Sequence, residues 1–304
     1  MLDIITSILS ASVVFTTPIL FASLGEIYNE KAGVMNLGIE GIMALAAFVS
    51  VWVTYSTGSY LLGLAAAILA GAMAASVHGF TSVTVGINQL ISGLLLFTLV
   101  DGIANFSNRK VLADVIPTVQ PLEPLDLFGL GRIPVIGSLI FQHNVLEYLA
   151  LLLALVMGYI LFNTTWGLRI RGAGENPEAC DAAGINVNTV RYICVILGGI
   201  LAALGGASMT LGYLGIYERG VVAGRGWIAI VVVIFARWSP YKAILGSWIF
   251  GLGYSIASNL IGTGIGIPYY FSLMVPYILA LVLILFFHKG TKPPSALTVP
   301  YKRK

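Results

Sequence analysis

Long apolar runs separated by short polar connections make up most of the chain. About nine of these runs reach the ~20 residues that a helix needs to cross a bilayer. Strands of a membrane β-barrel would be about half as long and would alternate apolar with polar residues. The pattern therefore predicts an all-α polytopic membrane protein. We place its transmembrane helices at residues 4–25, 33–54, 59–79, 87–105, 144–163, 190–215, 221–237, 241–261 and 269–288.

Glycine and proline interrupt several of the apolar runs. Inside a bilayer a broken backbone is tolerated only where protein or a water-filled cavity satisfies its polar groups, so we expect discontinuous helices. A similar sequence of apolar residues and glycine at Gly33–Gly38 and Gly220–Arg225 suggests two related halves. In a chain with 35 glycines, chance explains this match at least as well.

Composition supports a membrane location. Hydrophobic residues make up 58% of the 304 residues and charged residues only 10%, whereas a soluble domain carries about 25% charged residues. We therefore expect one transmembrane domain, residues 1–304, in contact with lipid. The net charge of +3 is too small, and the basic residues too scattered, to indicate nucleic acid as a partner.

The basic residues predict the orientation of the spans. The segment 289–304 after the last span has five basic residues and no acid, whereas Asp3 is the only charge before the first span. Because basic loops favour the cytoplasm, nine spans place the N-terminus outside and this basic tail inside. One missed span would move the N-terminus to the other side. On this assignment Arg219 and Arg225 lie on the outer side.

The longest connection, residues 106–143, is extracytoplasmic in this topology. It mixes four prolines with apolar residues such as Leu127, Phe128 and Leu130. That mixture is typical of a partly ordered loop with an interfacial helix. Two interpretations stay open: a packed cap over the bundle, or a docking surface for an extracytoplasmic partner.

A short polar segment, residues 167–188, stands between two apolar runs and is cytoplasmic in the same topology. It holds three acidic and two basic residues. Asn176 can cap the free amides of a helix whose first residue is Pro177, and Gly184 can end it. The sequence thus predicts a capped helix of about two turns, exposed outside the bilayer and suited to docking on another protein.

Residues that would indicate an enzyme are missing from the sequence. The dipeptide Gly-Lys does not occur, so there is no phosphate-binding loop of the Gly-x-x-x-x-Gly-Lys type. His78, His143 and His288 lie far apart near span ends, which favours interfacial or hydrogen-bonded polar residues over metal ligands. No grouping of Ser, His and Asp or of Cys and His indicates a nucleophile. We expect no catalytic residue, no metal and no cofactor bound by this chain.

Three blocks, in order along the chain, resemble the permease subunits of ABC importers. They are Gly25–Gly41 (GEIYNEKAGVMNLGIEG), Gly167–Val187 (GLRIRGAGENPEACDAAGINV) and the pair Ala223–Ala229 (AGRGWIA) with Ala236–Pro240 (ARWSP). The similarity is greatest to permeases that take up nucleosides through a lipoprotein receptor of the basic-membrane-protein type, a branch of the ribose and branched-chain amino-acid permeases. The chain resembles the shorter of two related permease subunits. Cys180 and Asp181 depart from the pattern, where small residues of the Ala type are expected.

This resemblance implies partners and a role for the polar segment. The partners would be a homologous permease subunit in a heterodimer, two ATP-binding subunits that hydrolyse ATP, and an extracytoplasmic substrate-binding lipoprotein, in the cell (inner) membrane of a prokaryote. The polar segment would be the cytoplasmic coupling helix that sits in a cleft of an ATP-binding subunit. The alternative for its arginines is anchoring of a span end at the lipid headgroups. The predicted coupling residues are Arg169, Arg171, Glu175, Asn176, Pro177, Glu178 and Ala179.

Polar residues inside the predicted spans are candidates for the substrate pathway, because ionisable groups are costly in a bilayer. Glu40 falls within the second span, and Asn36 is predicted one helical turn before it on a similar face. Interhelical hydrogen bonds are an equally good interpretation, and Arg225 could instead pair with Glu218 at the outer surface. The predicted pathway residues are Asn36, Glu40, Asn88, Gln89, Ser92, Arg225 and Trp227.

The sequence thus predicts a transmembrane permease subunit of an ATP-driven importer, with nucleosides as the first candidate substrate. A simple sugar, riboflavin or a branched-chain amino acid is the nearest alternative. A secondary transporter coupled to an ion is the alternative from another class. Such a transporter needs a set of carboxylates inside the membrane that binds the ion, and Glu40 alone gives little support for one. The residues alone do not select the solute, the pathway residues or a heterodimer over a homodimer.

Overall fold

The structure, a computed structural model, describes residues 2–111, 116–126, 131, 137–262, 269–287 and 292–302. The predictions for Leu127, Phe128, Leu130 and His288, for other parts of the connection 106–143 and for both ends of the basic tail lie outside these residues. The helices of the described residues are, in chain order, α1 (Leu2–Lys31), α2 (Ile39–Thr57), α3 (Tyr60–Gly79), α4 (Gln89–Val111), α5 (Val145–Asn163), α6 (Thr165–Glu175), α7 (Pro177–Ala182), α8 (Val187–Met209), α9 (Arg225–Phe235), α10 (Pro240–Gly262) and α11 (Tyr269–Phe287).

The chain is a helical bundle with the dimensions of a membrane protein. Seven helical segments of the described residues are long and apolar enough to cross a bilayer; the short apolar helix α9 (Arg225–Phe235) and the apolar stretch Met274–Leu283 within α11 add two more. These nine segments overlap the nine predicted spans, so the all-α polytopic prediction is confirmed. π-helical turns extend α3 through Phe80–Val85 and α8 through Thr210–Leu214.

Helices α1 and α8 form the centre of the bundle. α1 packs against α8, α9 and α10, and α8 also packs against α2 and α3. Small residues allow these close approaches: a Cβ atom on Gly25 of α1 would lie 2.8 Å from the Gly198 carbonyl oxygen of α8. A Cβ on Gly71 of α3 would lie 2.5 Å from the carbonyl oxygen of Gly199. Such contacts are typical of membrane helices, where packing rather than the hydrophobic effect drives association.

The first helix is longer, and the second shorter, than the sequence predicts. α1 continues to Lys31 because its polar side chains Glu26, Asn29 and Glu30 are fully buried against the bundle instead of lying in a loop. Residues 32–38, the α1–α2 connector, are not helical, and α2 begins only at Ile39. The prediction that Asn36 lies one helical turn before Glu40 is therefore wrong.

The predicted span 221–237 is a half-length helix. α9 covers only Arg225–Phe235, and residues 215–224, the α8–α9 connector, lead into it through turns. Eleven residues of α-helix extend about 16 Å, roughly half of a ~30 Å hydrocarbon layer. The alternative that Arg225 pairs with Glu218 at the outer surface is wrong, because the Arg225 side chain is buried inside the bundle at the start of this half-helix.

The connections between helices lie at the two ends of the bundle. At one end the polar segment packs on the end of α1, since a Cβ on Gly174 would lie 2.2 Å from the Lys31 carbonyl oxygen. At the other end Val119 donates its backbone N–H to the Gly215 carbonyl, and Leu125–Asp126 pairs antiparallel with Gln142–His143. α4 extends to Val111, so the long connection begins later than predicted. Its described part packs on the bundle.

Candidate functional site

Two broken helices meet inside the bundle. The α1–α2 connector contains Gly33 with φ of 90°, and the α8–α9 connector contains Gly220 with φ of 76°; both conformations are left-handed and favour glycine. Each connector leads into a helix, and the first turns of these two helices, α2 and α9, are in contact. The two segments are the ones whose similar sequences suggested related halves, and paired discontinuous helices are a known construction of transporter binding sites.

Glu40, in the first turn of α2, joins the two N-termini. Its carboxylate accepts the backbone N–H of Gly224 on one oxygen and that of Gly226 on the other, each at 2.7 Å. These donors belong to the first turn of α9, where free amides and the helix dipole favour negative charge. Gly226 allows the approach, because a Cβ there would lie 2.7 Å from the Glu40 Cα atom.

Arg225 lies beside this contact in an aromatic surround. Its guanidinium is 4.3 Å from the ring centre of Tyr254 and 6.0 Å from that of Phe15, and Nη1 donates to the Val222 carbonyl at 3.0 Å. Among the described residues, the Arg225 Nε–H and the Tyr213 hydroxyl are buried without a hydrogen-bond partner. In place of the expected surface pair with Glu218, Arg225 makes these buried contacts.

The α8–α9 connector is held close to this point by two tyrosines. The hydroxyls of Tyr254 and Tyr277 both donate to the Ala223 carbonyl, at 3.1 and 2.9 Å. Ala223 itself has φ of 46°, a strained value for a residue with a Cβ. Helices α10 and α11 thereby fix a strained backbone next to Glu40 and Arg225.

The α1–α2 connector is tied to the bundle through its backbone. The Glu26 carboxylate accepts the Asn36 N–H at 2.8 Å, the Gln89 side-chain oxygen accepts the Met35 N–H at 2.8 Å, and His78 Nε2 contacts the Met35 carbonyl oxygen at 3.1 Å. Sequence reasoning missed Glu26 as a site residue. The signal was available, since a carboxylate followed three residues later by Asn29 on the same helical face suggests the bond that Asn29 makes to it.

The structure gives each predicted pathway residue a place. Gln89 and Ser92 bind neighbouring segments, Ser92 through His78 Nδ1 at 3.0 Å, and the Asn88 side chain accepts the N–H groups of the first turn of α4. Trp227 makes an edge contact with Phe97. The geometry brings Glu40, Arg225 and Trp227 together around the α9 N-terminus, whereas Asn88, Gln89 and Ser92 lie at the start of α4. A role in the pathway stays a prediction for all seven.

The polar segment contains the predicted capped helix. The Asn176 side chain accepts the Ala179 N–H at 3.0 Å, and Pro177 is the first residue of α7. Glu175, Asn176, Glu178 and Ala179 are exposed, while Cys180 on the opposite face is buried against Gly172. A row of small and polar residues thus faces away from the bundle.

The two arginines of the polar segment lie against aromatic rings. The Arg169 guanidinium is 5.2 Å from the Trp166 ring centre, and that of Arg171 is 5.8 Å from the Phe162 ring centre. These cation–π contacts, at the end of α5 and the start of α6, are consistent with anchoring at the membrane surface. A role at the edge of a coupling contact stays a prediction for both.

The bundle with two broken helices and an exposed helix at one end defines a membrane transport component. A family model described as the permease component of the branched-chain amino acid transport system matches residues 8–286. The chain belongs to this family of ABC transporter permeases and is a multi-pass protein of the prokaryotic cell (inner) membrane. A permease of this kind works with ATP-binding and substrate-binding components, and this membership overturns the alternative of an ion-coupled secondary transporter.

Three similar proteins are named as permeases of ABC transporters. The guanosine ABC transporter permease protein NupQ of Bacillus subtilis is 33% identical, with 98% of this chain and 97% of that protein covered. The nucleoside ABC transporter permease protein NupC of Lactococcus lactis is 33% identical, with 95% and 94% covered. A Haloferax volcanii protein named "Putative glucose ABC transporter permease protein TsgC13" is 38% identical, with 81% and 75% covered.

A solved structure shares the fold. It is described as "an inward-facing conformation of a putative metal-chelate type ABC transporter", and it superposes with a TM-score of 0.54 at 16% identity, covering 93% of this chain and 85% of that one. At this identity the likeness shows the fold alone. It supports the helical permease architecture and carries nothing about the solute.

Proposed function

We propose that this chain is one of two homologous permease subunits of an ATP-driven importer for nucleosides. The observation that carries the substrate class is the nearly end-to-end match with a guanosine permease and a nucleoside permease. A match over more than nine-tenths of both chains includes the connectors, α9 and the polar segment alike. The whole transport unit, not one shared block, therefore resembles nucleoside permeases.

The buried junction of α2 and α9 supports a pathway for a polar, aromatic solute. Arg225 and Tyr213 each carry an unpartnered buried donor, and Phe15, Tyr254 and Trp227 supply aromatic faces nearby. Hydrogen-bond donors suit ribose hydroxyls and base oxygens, and aromatic rings stack on bases. Glu40 and its neighbours would act by shaping this junction as the helices move.

The chain would bind no cofactor itself, and its ATP-binding partners would hydrolyse ATP. The exposed, capped α7 supports a contact in which the polar segment enters a cleft of an ATP-binding subunit. An extracytoplasmic lipoprotein would deliver the solute to the opposite end. Purified alone, the chain should hydrolyse no ATP; activity of the lone chain above a lipid-only blank would contradict this division of labour.

A sugar importer is the second candidate function. It is favoured by one observation, the 38% identity to a protein named for glucose. That alignment covers three-quarters of the relative, compared with nearly the whole length of the two nucleoside permeases. We therefore place nucleosides first.

Uptake by the reconstituted importer tests the proposal. The chain, its homologous permease and its ATP-binding partner are incorporated into proteoliposomes with the receptor outside, and ATP-dependent entry of labelled guanosine and labelled glucose is measured. We expect guanosine entry that unlabelled nucleosides suppress and that glucose, riboflavin and leucine do not. ATP-dependent glucose entry without guanosine entry would establish the sugar candidate instead, and entry in the absence of ATP would contradict the importer mechanism.

A further inference from the structure

The described part of the basic tail, residues 292–302, lies across the polar segment. Ala296 donates its backbone N–H to the Gly174 carbonyl at 2.8 Å. The Ser295 hydroxyl donates to the Glu175 carboxylate at 2.9 Å, and the Tyr301 hydroxyl donates to the Asp181 carboxylate at 3.1 Å. These contacts reach both the end of α6 and the end of α7. Residues 292–302 are therefore packed on the polar segment and are not a free extension.

Arg191, in the first turns of α8, connects this tail to the core. Its side chain is only 1% exposed. Nε donates to the Ala32 carbonyl at the end of α1 at 3.1 Å, and Nη1 donates to the Val299 carbonyl of the tail at 3.0 Å. A cation is favourable at a helix C-terminus, where carbonyls lack partners. One guanidinium thus joins α8, the end of α1 and the tail.

The same place is where the polar segment meets α1. Gly174 touches the Lys31 carbonyl with no room for a side chain. Lys31 and Ala32 lead directly into the α1–α2 connector, which ends at the first turn of α2 and Glu40. A displacement of the polar segment therefore acts first on the backbone that leads to the α2–α9 junction.

We propose that Arg191 and the tail residues 292–302 form a joint that holds the polar segment on the end of α1 and transmits its movement to the α1–α2 connector. Arg191, Ser295 and Tyr301 are positioning residues of this joint. The proposal rests on the proposed function, since the movement comes from an ATP-binding partner. The joint assigns a role to residues 292–302, which the proposed function does not require. Without the joint, the polar segment could separate from the end of α1 when it moves.

Labelling of Cys180 tests the first half of the proposal on the permease alone. Cys180 is a free, buried thiol of α7 behind the exposed face, so its reaction with a maleimide reports how often α7 lifts from the bundle. We expect Arg191→Lys and Tyr301→Phe each to raise the labelling rate about fivefold, the factor for one lost buried hydrogen bond. Tyr192→Phe is the matched control, because the Tyr192 hydroxyl bonds Thr84 instead of the tail. A Cys180→Ser chain shows the background from Cys194.

Transport per ATP tests the second half in the assembled importer. Arg191→Lys, Tyr301→Phe and deletion of 292–304 should keep ATP hydrolysis while moving less solute for each ATP. Lys242→Gln, an exposed residue in the first turn of α10, is the control. A variant that merely unfolds would also fail to bind the ATP-binding subunit and would no longer elute as a single peak in size-exclusion chromatography. If the deletion does not fold, Tyr301→Phe, which removes one hydroxyl, still provides the test.

Each outcome decides the proposal. Faster Cys180 labelling together with a lower ratio of solute to ATP supports the joint. Unchanged labelling in folded variants overturns it, and faster labelling with an unchanged ratio overturns transmission through it. If the wild-type permease binds no ATP-binding subunit, the proposed function fails while the labelling result still shows whether the joint exists.

Discussion

Buried carboxylates of this chain hold backbone amides of the two connectors and of the α9 start. Glu26 accepts the N–H of Asn36, and Glu40 accepts two N–H groups from the start of α9. Both lie in a span, where an unpaired charge is costly. Their partners are connector or helix-start amides that have no intrahelical acceptor. At the residue scale, these side chains replace the hydrogen bonds that the broken helices lack.

Replacement of Glu40 by glutamine should weaken the α2–α9 junction. The amide can accept one of the two N–H groups but presents its own donors to the other, so one bond and the charge opposite the helix dipole are lost. We expect a lower thermal midpoint in detergent and a decrease of about 1–3 kcal/mol in the free energy of unfolding. Glu218→Gln, at an exposed position of the α8–α9 connector, should leave the midpoint unchanged. Equal midpoints for the two variants would exclude Glu40 as the element that closes the junction.

His143 should make the opposite end of the bundle sensitive to pH. Burial acts to lower its pKa, but the hydrogen bonds to Glu147 and to the Leu139 carbonyl, together with the Glu147 charge, outweigh burial, so the pKa is raised above its usual 6.5. A group with a raised pKa contributes stability while protonated. That contribution is complete below pH 6.5 and is lost as the pH rises through the folded-state pKa.

Thermal midpoints measured from about pH 5.5 to about 8.5 would show this loss. We expect the midpoint of the wild-type chain to fall with rising pH, and we expect His143→Gln to flatten the curve. Curves of identical slope for the two proteins would show that the pair of His143 and Glu147 contributes nothing in this range.

At the element scale, glycines determine which helices can approach each other. Gly226→Ala should disrupt the junction, because the new Cβ would lie 2.7 Å from the Glu40 Cα atom and both backbones are fixed by helices. We expect a thermal midpoint lower than the wild type. Gly102→Ala is the matched control: no atom lies within 4 Å of the added Cβ, and alanine is favoured over glycine in a helix by about 1 kcal/mol. A thermal midpoint of Gly226→Ala as high as that of Gly102→Ala would contradict the packing argument.

The sequence predicted elements that depend on local signals and missed those that depend on packing. Run length located nine apolar segments, and Asn176-Pro177 located the start of α7, because a cap and its helix are neighbours in the chain. The end of α1 was missed, since only contact with other segments makes room for Glu26, Asn29 and Glu30 in a buried helix. The alternative of a surface pair for Arg225 failed for the same reason: the α8–α9 connector decides whether its side chain is buried.

The α2–α9 junction could be predicted only in part. Glu40 and Arg225 were candidates as ionisable residues in apolar runs. Their relation was not available, because the two residues are 185 positions apart in the chain and nothing local indicates that one carboxylate caps the other helix. The contact of the tail with the polar segment was hidden likewise, as a run of basic residues in sequence indicates only a side of the membrane.

At the scale of the whole molecule, the bundle separates two tasks to its two ends and connects them through α1. The polar segment, the end of α1 and the tail lie at one end, and the long connection packs on the turn after α8 at the other. The broken helices meet inside the bundle, where Glu40 binds the start of α9. A permease that works by alternating access needs such an arrangement, in which one moving element reaches a junction inside the bundle.

A bulky residue on the exposed face of α7 should separate ATP hydrolysis from uptake. In Ala179→Trp the indole would fill the face proposed to enter an ATP-binding subunit, while Asn176, Pro177 and the helix behind them stay intact. We expect nucleoside uptake to fall to a small fraction of wild type, with either weaker co-purification of the ATP-binding subunit or hydrolysis that no longer responds to the receptor. Lys242→Trp places the same bulk at the same end of the bundle, outside the polar segment, and should transport normally. The small exposed residues of α7 are what would let it enter a cleft of the ATP-binding subunit. Normal uptake by Ala179→Trp would therefore rule out a coupling role for the polar segment, without bearing on the permease fold or the α2–α9 junction.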